Sequence, residues 1–404
     1  MKRSYHIVVT GKIGSGKSTV SKFLFNHLTA MGLGFKYCDF DEIVKEIWSQ
    51  EWWRTHCLSA YGISSKKEMS EKAFEDPSLL SKVAQDMNPW IIEKVQNYAK
   101  NPLVVFDIPL HWQFNLVSAD LCLLATASNE TREKRATSRL NWSSEKFNKV
   151  DGLQLCTRDL SSFCDLEIVN ENKSLQELQT EVYGLALEIK AALNFKVYNK
   201  NFMSDKLVNV CLKNYFHKSR AYHTPEHLLS LLKVLKKMKT DLTDPFYFIT
   251  ALFHDIVYNT EKDYDENEEN SAKEFLRVSG LILKSQWMAK NPSLSLEIVS
   301  AIRSTKGHRI VSGSLLSASS LDKIKIFLDA DLSILGGSEK EYAQYCEKIA
   351  KEFSHIEKES FEQKRKEFLS KMVKALKSNE LYQTNKFKDK FTKKALKNLQ
   401  RRTL

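Results

Sequence analysis

The sequence predicts two domains, a three-layer α/β domain of nucleotide-binding type followed by an all-α domain. Three observations carry this. The glycine-rich stretch Gly11-Lys12-Ile13-Gly14-Ser15-Gly16-Lys17-Ser18-Thr19 directly follows a β-branched run over residues 5–10. Short apolar runs then alternate with helical stretches to about residue 170, the pattern of a parallel sheet covered on both faces. From about Leu175 onward strand signals cease and long helical periodicities take over. A chain of 404 residues exceeds what one hydrophobic core usually sustains. The domains are placed at 1–192 and 193–404, with the seam near Leu193-Asn194-Phe195 and no Pro/Gly/Ser linker between them.

Each element has its own reason. The run over residues 5–10 follows Met1-Lys2-Arg3 as a secretory signal would, but Thr10-Gly11-Lys12 ends it within six residues, so it reads as the first strand. The loop after it is a P-loop of NTPase and kinase type. Gly11, Gly14 and Gly16 let the backbone turn tightly, so that amide N–H groups and the positive end of the next helix face phosphate oxygens. Lys17 then reaches the β- and γ-phosphates of ATP and Ser18 holds Mg²⁺, with Ser15 and Thr19 completing the loop. Residues 19–28 carry apolar side chains at helical spacing, and 35–41 form a short strand ending in Asp39 and Asp41. Residues 102–110 form an apolar strand with Asp107 at its carboxyl end, where an open parallel sheet presents groups to its ligand. Residues 119–125 and 166–170 are two further strands, separated by a helix over 131–140 that carries Arg135 and Arg139.

Composition sets the class. A hydrophobic fraction of 42% is ordinary globular material, and no apolar run approaches the roughly 18–20 residues of a membrane span. Seven scattered cysteines, odd in number and without a Cys-x-x-Cys pair, fit reduced thiols in a cytosolic protein. The net charge of +11 is concentrated at the end, where residues 371–404 hold eleven Lys and Arg against Glu380 and Asp389. Leu376, Leu381, Phe387, Phe391, Leu396 and Leu399 in that tail point to packed helices with solvated basic faces; an acidic or nucleic-acid partner is the alternative.

Residues 1–190 resemble the dephospho-coenzyme A kinase family. The resemblance rests on Ile13-Gly14-Ser15-Gly16-Lys17-Ser18-Thr19-Val20, Asp39-Phe40-Asp41, Asp107-Ile108-Pro109-Leu110, the paired Arg135 and Arg139, and the late positions Gln154 and Asn170. It implies a P-loop kinase that moves the ATP γ-phosphate to the 3′-hydroxyl of dephospho-coenzyme A or a related small alcohol. Asp39 is the implied base, since an alcohol nucleophile needs a carboxylate within hydrogen-bond reach, although the residue also suits a helix cap. Arg135 and Arg139 are the implied lid arginines, with a solvated helix face as the alternative. The sequence departs from the family at Asn88, at Gln113, at Lys45 and before Gln154, where an arginine is missing. These changes touch the acceptor site and the lid.

Residues 195–404 resemble the HD superfamily of metal-dependent phosphohydrolases. The carriers are the stretch Arg220-Ala221-Tyr222-His223-Thr224-Pro225-Glu226-His227, then Phe253-His254-Asp255-Ile256, Asn267-Glu268-Glu269-Asn270, Lys306-Gly307-His308 and Asp329-Ala330-Asp331. Imidazole and carboxylate ligands on helices suit a divalent transition metal (Mn, Fe, Co, Ni or Zn) with open positions for water and phosphate. The implied ligands are His227, His254, Asp255 and Asp331, with His223, His308 and Asp329 in reserve for a second metal or for phosphate. Glu268 either orients water or is a helix-surface acid. The family's Arg-Arg-Glu-Tyr segment appears as Ala350-Lys351-Glu352-Phe353. The expectation is a bifunctional cytosolic enzyme that acts on ATP and on a phosphoester. Two rivals stay open, a nucleotide-sensing front half that regulates the hydrolase and a nucleic-acid binder using the basic tail.

Overall fold

The computed structural model describes residues 4–111, 115–140, 142–154, 160–261, 266–282, 293–311 and 315–403. The chain divides into two compact units, Met1–Leu187 and Glu188–Leu404. The division falls inside the helix Leu175–Phe195, a few residues before the seam expected from sequence. An unbroken helix leaves no compositional mark where its packing partners change.

The first unit is built on a parallel five-stranded sheet with the order β2-β3-β1-β4-β5, formed by β1 Tyr5–Thr10, β2 Lys36–Asp39, β3 Leu103–Asp107, β4 Leu121–Thr126 and β5 Leu166–Val169. Parallel neighbours require crossovers, and the intervening helices supply them. Val8, Cys38, Val104 and Phe106 turn to one face and join Ile43, Trp53, Val83 and Ile91, from the helices Phe40–Ser49, Glu51–Tyr61 and Pro77–Ala99, in one core. Alternation sends Val105 and Asp107 to the opposite face, where Ser21 of the helix Lys17–Ala30 donates to Asp107. Helices on both faces give the three layers. The second strand stops at Asp39 rather than running to residue 41. The Asp39 carboxylate accepts from the backbone N–H of Asp41 (3.0 Å) and of Glu42 (3.4 Å) and so starts the helix Phe40–Ser49.

Among its described residues the second unit is helical, with no strand. Its centre is the helix Pro245–Phe253, all nine residues of which are buried. Pro225–Lys237, Asn267–Ile282 and Leu294–Ser304 pack against this helix, and Ala318–Asp331 packs on the first and last of those three. Phe248 stacks on Phe195 with ring centroids 4.9 Å apart. The basic tail folds as Lys358–Lys377 and Asn385–Thr403, which bury Leu369, Leu376, Phe387 and Leu399, with Leu381 buried in the stretch between them, and leave Lys390, Lys393, Lys394 and Lys397 exposed. Among the described residues six cysteines are unbridged, and no helix is long and apolar enough to cross a membrane. Cys156 and Gln113 lie outside the described residues.

Candidate functional site

In the first unit a cavity of about 680 Å³ opens at the carboxyl ends of the strands. The loop residues Gly11, Gly14, Gly16, Lys17, Ser18 and Thr19 line one side. Phe40, Val44, Trp48, Met87 and Ile91 give the other an apolar wall, with Asn88 and Asp41 among them. Gly14 (φ 77°) and Gly16 (φ 88°) hold the left-handed backbone that the loop turn demands. Ser15, expected among the phosphate-binding positions, lies instead behind the loop. It is buried, its N–H donates to Lys12 O (3.2 Å) and its carbonyl accepts from Asn170 Nδ2 (3.0 Å). Gln154 Oε1 accepts from Ile13 N (2.8 Å), so both late positions brace the loop.

Lys17 forms a close ion pair with Asp107 at the end of β3. Asp107 is fully buried, and its second oxygen accepts from Ser21 Oγ (2.9 Å) and Tyr37 Oη (3.0 Å). Asp107 therefore sits behind the lysine rather than in the cavity wall, where the sequence reading had put it. Asp39 pairs with Asp107 in strand register. With one oxygen of Asp39 committed to the helix cap, Asp41 is the acid of this pair that lines the cavity. Arg135 and Arg139 both line it as well. Arg135 donates to Asn170 O (2.9 Å) and Gly14 O (3.3 Å). The sequence reading missed Arg132, which is buried and donates to Asp151 (2.5 Å), Asn129 Oδ1 (2.8 Å) and Ile13 O (3.3 Å); nothing in the sequence separates it from its neighbouring arginines.

Gly14→Ala is expected to raise the Kd for ATP at least tenfold and to lower the unfolding midpoint by several degrees. An added Cβ would lie 2.8 Å from the backbone Cα of Arg132 and deep in contact with its carbonyl oxygen, at a φ that costs an L-residue about 1–2 kcal/mol. Backbone on both sides cannot give way. Nucleotide titration with thermal unfolding checks this, and unchanged values in both would remove Gly14 from the phosphate loop.

In the second unit four residues from three segments converge. His227 lies on Pro225–Lys237, His254 ends the buried helix Pro245–Phe253, Asp255 follows it and Asp331 is the last residue of Ala318–Asp331. His227 Nε2 is 3.1 Å from His254 Nε2. Asp255 Oδ2 lies 3.0 Å from His254 Nε2 and 3.7 Å from His227 Nε2, and Asp331 Oδ1 lies 3.4 Å from His227 Nε2 and 3.8 Å from His254 Nε2. Donor atoms of His227, His254 and Asp255 all fall within 4.8 Å of one another. Bonds of about 2.1 Å around a tetrahedral or octahedral cation put neighbouring ligand atoms about 3.0–3.4 Å apart, so this donor set fits a divalent metal. His254 Nδ1 donates to Ala251 O (2.9 Å), which leaves its Nε2 lone pair aimed at the cluster.

The protonation pattern agrees. Burial pushes His227 down to about 4. Burial opposes the charged form of His254 as well, but the charge and hydrogen bond of Asp255, with Asp331, outweigh it and push His254 up to about 9. Burial would raise Asp331, yet the hydrogen bond from His308 (Nε2 to Oδ2, 3.0 Å) and the charge of His254 hold it at about 2. Asp255 is likewise held well below the usual carboxylate range by His254 and His223 against its burial.

Around this core, Glu268 lies in the first turn of Asn267–Ile282. Its Oε2 is buried without a hydrogen-bond partner among the described residues, and burial raises its carboxyl. Asp329 does not join the cluster. Two residues from Asp331 on one helix, it points elsewhere and accepts from Gln383 N (2.7 Å), Thr384 N (2.8 Å) and Thr384 Oγ1 (2.6 Å), just before the helix Asn385–Thr403. Two residues without a role in the sequence reading organise the surroundings. Arg220 donates to the carbonyls of His223 (3.2 Å), Asp255 (2.8 Å) and Ile256 (2.9 Å), tying together the segments around residues 223 and 255. Glu352 accepts from the backbone of residues 221–223 and from His223 Nδ1 (2.8 Å).

Residues 5–176 match the dephospho-CoA kinase family model. The chain is 24% identical over 203 residues to a dephospho-CoA kinase of Lactobacillus acidophilus, covering 46% of this chain and 98% of that protein. It is 27% identical over 188 residues to one of Fusobacterium nucleatum (44% and 94%) and 28% identical over 195 residues to one of Burkholderia thailandensis (45% and 93%). A crystal structure of TT1252 from Thermus thermophilus aligns with 46% of this chain and 99% of that chain at 22% identity and a TM-score of 0.39. By the family match over residues 5–176, the N-terminal unit is a dephospho-CoA kinase-like domain.

Proposed function

We propose that the chain joins two phosphoryl chemistries, an ATP-dependent kinase over residues 1–192 and an HD-type, metal-dependent phosphohydrolase over 193–404. For the kinase, the carrying observation is Lys17 in the wall of a cavity with a phosphate loop on one side and an apolar wall on the other, within a domain that matches the kinase family. ATP places its phosphates on the loop, Ser18 holds Mg²⁺, and Lys17 leaves Asp107 to meet the β- and γ-phosphates. The acceptor is the 3′-hydroxyl of dephospho-CoA or a related small alcohol. Asp39, through the oxygen left outside the helix cap and next to the cavity-lining Asp41, takes the proton, and Arg135 and Arg139 clamp the transferred phosphoryl group. Incubating the full chain with MgATP and dephospho-CoA and following product by mass spectrometry tests this. ATP binding without transfer to any alcohol would favour the second reading, a nucleotide sensor, which Asn88 in the cavity wall supports.

For the hydrolase, the carrying observation is the convergence of His227, His254, Asp255 and Asp331. A divalent cation held there supplies a hydroxide at neutral pH and charge for the phosphoryl oxygens. Glu268 orients the attacking water, and the substrate is a nucleotide or another phosphoester. Copurified or reconstituted metal, with chelator-sensitive hydrolysis of p-nitrophenyl phosphate by the full chain, is the test.

A pH dependence follows. His254, pushed up to about 9, is protonated at neutral pH and must lose that proton to ligate, while His227, pushed down to about 4, is already neutral. Mn²⁺ binding is therefore expected to release about one proton, and apparent affinity should rise about tenfold per unit between pH 6 and 8. Titration calorimetry in buffers of different ionisation enthalpy measures both. An affinity flat across that range would remove His254 from the ligand set.

A further inference from the structure

We propose that His223 is the side chain that contacts the phosphoryl group of the hydrolase substrate and that Glu352 is its positioning residue; this rests on reading His227, His254, Asp255 and Asp331 as the metal site.

Glu352 is the last residue of the helix Glu339–Glu352 and is 3% exposed. A carboxylate buried this deeply is costly unless its lone pairs are occupied, and here five donors occupy them. Oε1 accepts from the N–H groups of Ala221 (2.8 Å), Tyr222 (2.8 Å) and His223 (2.9 Å), and Oε2 from His223 Nδ1 (2.8 Å) and Tyr258 Oη (3.1 Å). One carboxylate thus fixes both the backbone and the ring of His223.

The ring is held on its faces too. Tyr258 lies against it with centroids 4.1 Å apart, and Tyr222 meets it edge-on at 5.0 Å. With Nδ1 given to Glu352, the remaining polar edge turns toward the ligand cluster. His223 Nε2 is 3.9 Å from Asp255 Oδ2, beyond hydrogen-bond distance but adjacent to a proposed ligand. Asp255 and Asp331 between them offset the charge of a divalent cation, so an incoming phosphoryl dianion needs a further positive or hydrogen-donating group. Arg220 does not serve, because its guanidinium is committed to three carbonyls and stacks on Tyr215 and Tyr258. His223 stands outside the group of His227, His254 and Asp255 whose donor atoms fall within 4.8 Å of one another, so its Nε2, with Nδ1 donating to Glu352, is left to meet substrate.

The test uses the full chain reconstituted with Mn²⁺, inorganic phosphate as the binding probe and p-nitrophenyl phosphate as the turnover probe. Glu352→Gln and His223→Gln should each keep the wild-type metal content, weaken phosphate binding about tenfold or more and lower kcat/KM about 10–100-fold. The double variant should lose little beyond either single one, as expected for residues acting as a unit. Loss of metal from His223→Gln would make His223 a ligand and overturn the proposal, as would unchanged phosphate affinity. Should Glu352→Gln fail to fold, His223→Gln, which leaves the backbone contacts of Glu352 in place, decides alone. Wild-type protein that takes up no metal would instead bring down the metal-site reading, and the proposal with it, an outcome that metal analysis separates from the others.

Discussion

Lys17→Ala is expected to reduce ATP-dependent phosphoryl transfer by at least about 10³-fold, because a cation at the developing phosphoryl charge supplies several kcal/mol of transition-state stabilisation. The structure adds a second consequence. Lys17 is the ion-pair partner of the fully buried Asp107. Removing the lysine strands that carboxylate, at a cost of about 3 kcal/mol, the low end for a broken buried pair because Ser21 and Tyr37 still donate to it. Lys17→Ala combined with Asp107→Asn should then recover most of the lost stability and none of the activity. Turnover with MgATP and dephospho-CoA, read beside denaturant unfolding, separates the effects. Wild-type transfer rates in Lys17→Ala would end the P-loop kinase assignment.

The other large effect is expected in the second unit. Changing His254 and Asp255 together to Ala should remove bound metal and reduce chelator-sensitive phosphoester hydrolysis by at least about 10³-fold, since the pair supplies two of four proposed ligands. ATP-dependent transfer should persist, because the P-loop uses its own Mg²⁺. Asp331 keeps His308 at 3.0 Å and His227 at 3.4 Å, so the double change does not strand a buried charge. His254→Gln with Asp255→Asn, closer in volume, guards against a packing defect in the buried helix end. Elemental analysis that finds no metal in wild-type protein after reconstitution with Mn²⁺, Fe²⁺, Co²⁺, Ni²⁺ and Zn²⁺ would leave the cluster without a catalytic role.

Much of the first unit was legible because its signals are local. A β-branched run, a glycine-rich turn and a helical periodicity lie next to one another in the chain, and left-handed φ values at Gly14 and Gly16 are what such a turn requires. The carboxylates were harder. The cap role of Asp39 was one of the two readings the sequence offered, but Ser15 behind the loop and Asp107 behind Lys17 depend on which way a side chain turns at a strand end or within a loop, and residue type does not encode that. In the second unit the motifs His-Asp and Asp-Ala-Asp are visible as strings, but a string does not say which aspartate faces inward. Asp329 and Asp331, two positions apart on a helix, point in different directions, one to the start of the last helix and one to the histidines.

The sequence by itself determined the phosphate loop, the alternation of strands and helices before residue 175, the helical character after it and the residue types offered to a metal. Each of these follows from short-range periodicity and from the chemistry of single side chains. Only the tertiary structure decided which of those residues meet. His227 and Asp331 are more than a hundred positions apart and come within 3.4 Å because Pro225–Lys237 and Ala318–Asp331 pack together, beside the fully buried helix that delivers His254. The partnership of His223 with Glu352 spans a similar separation and was not legible at all. A buried carboxylate gathers its donors from whatever backbone the packing brings to it, and that is a property of the folded core rather than of any stretch of chain.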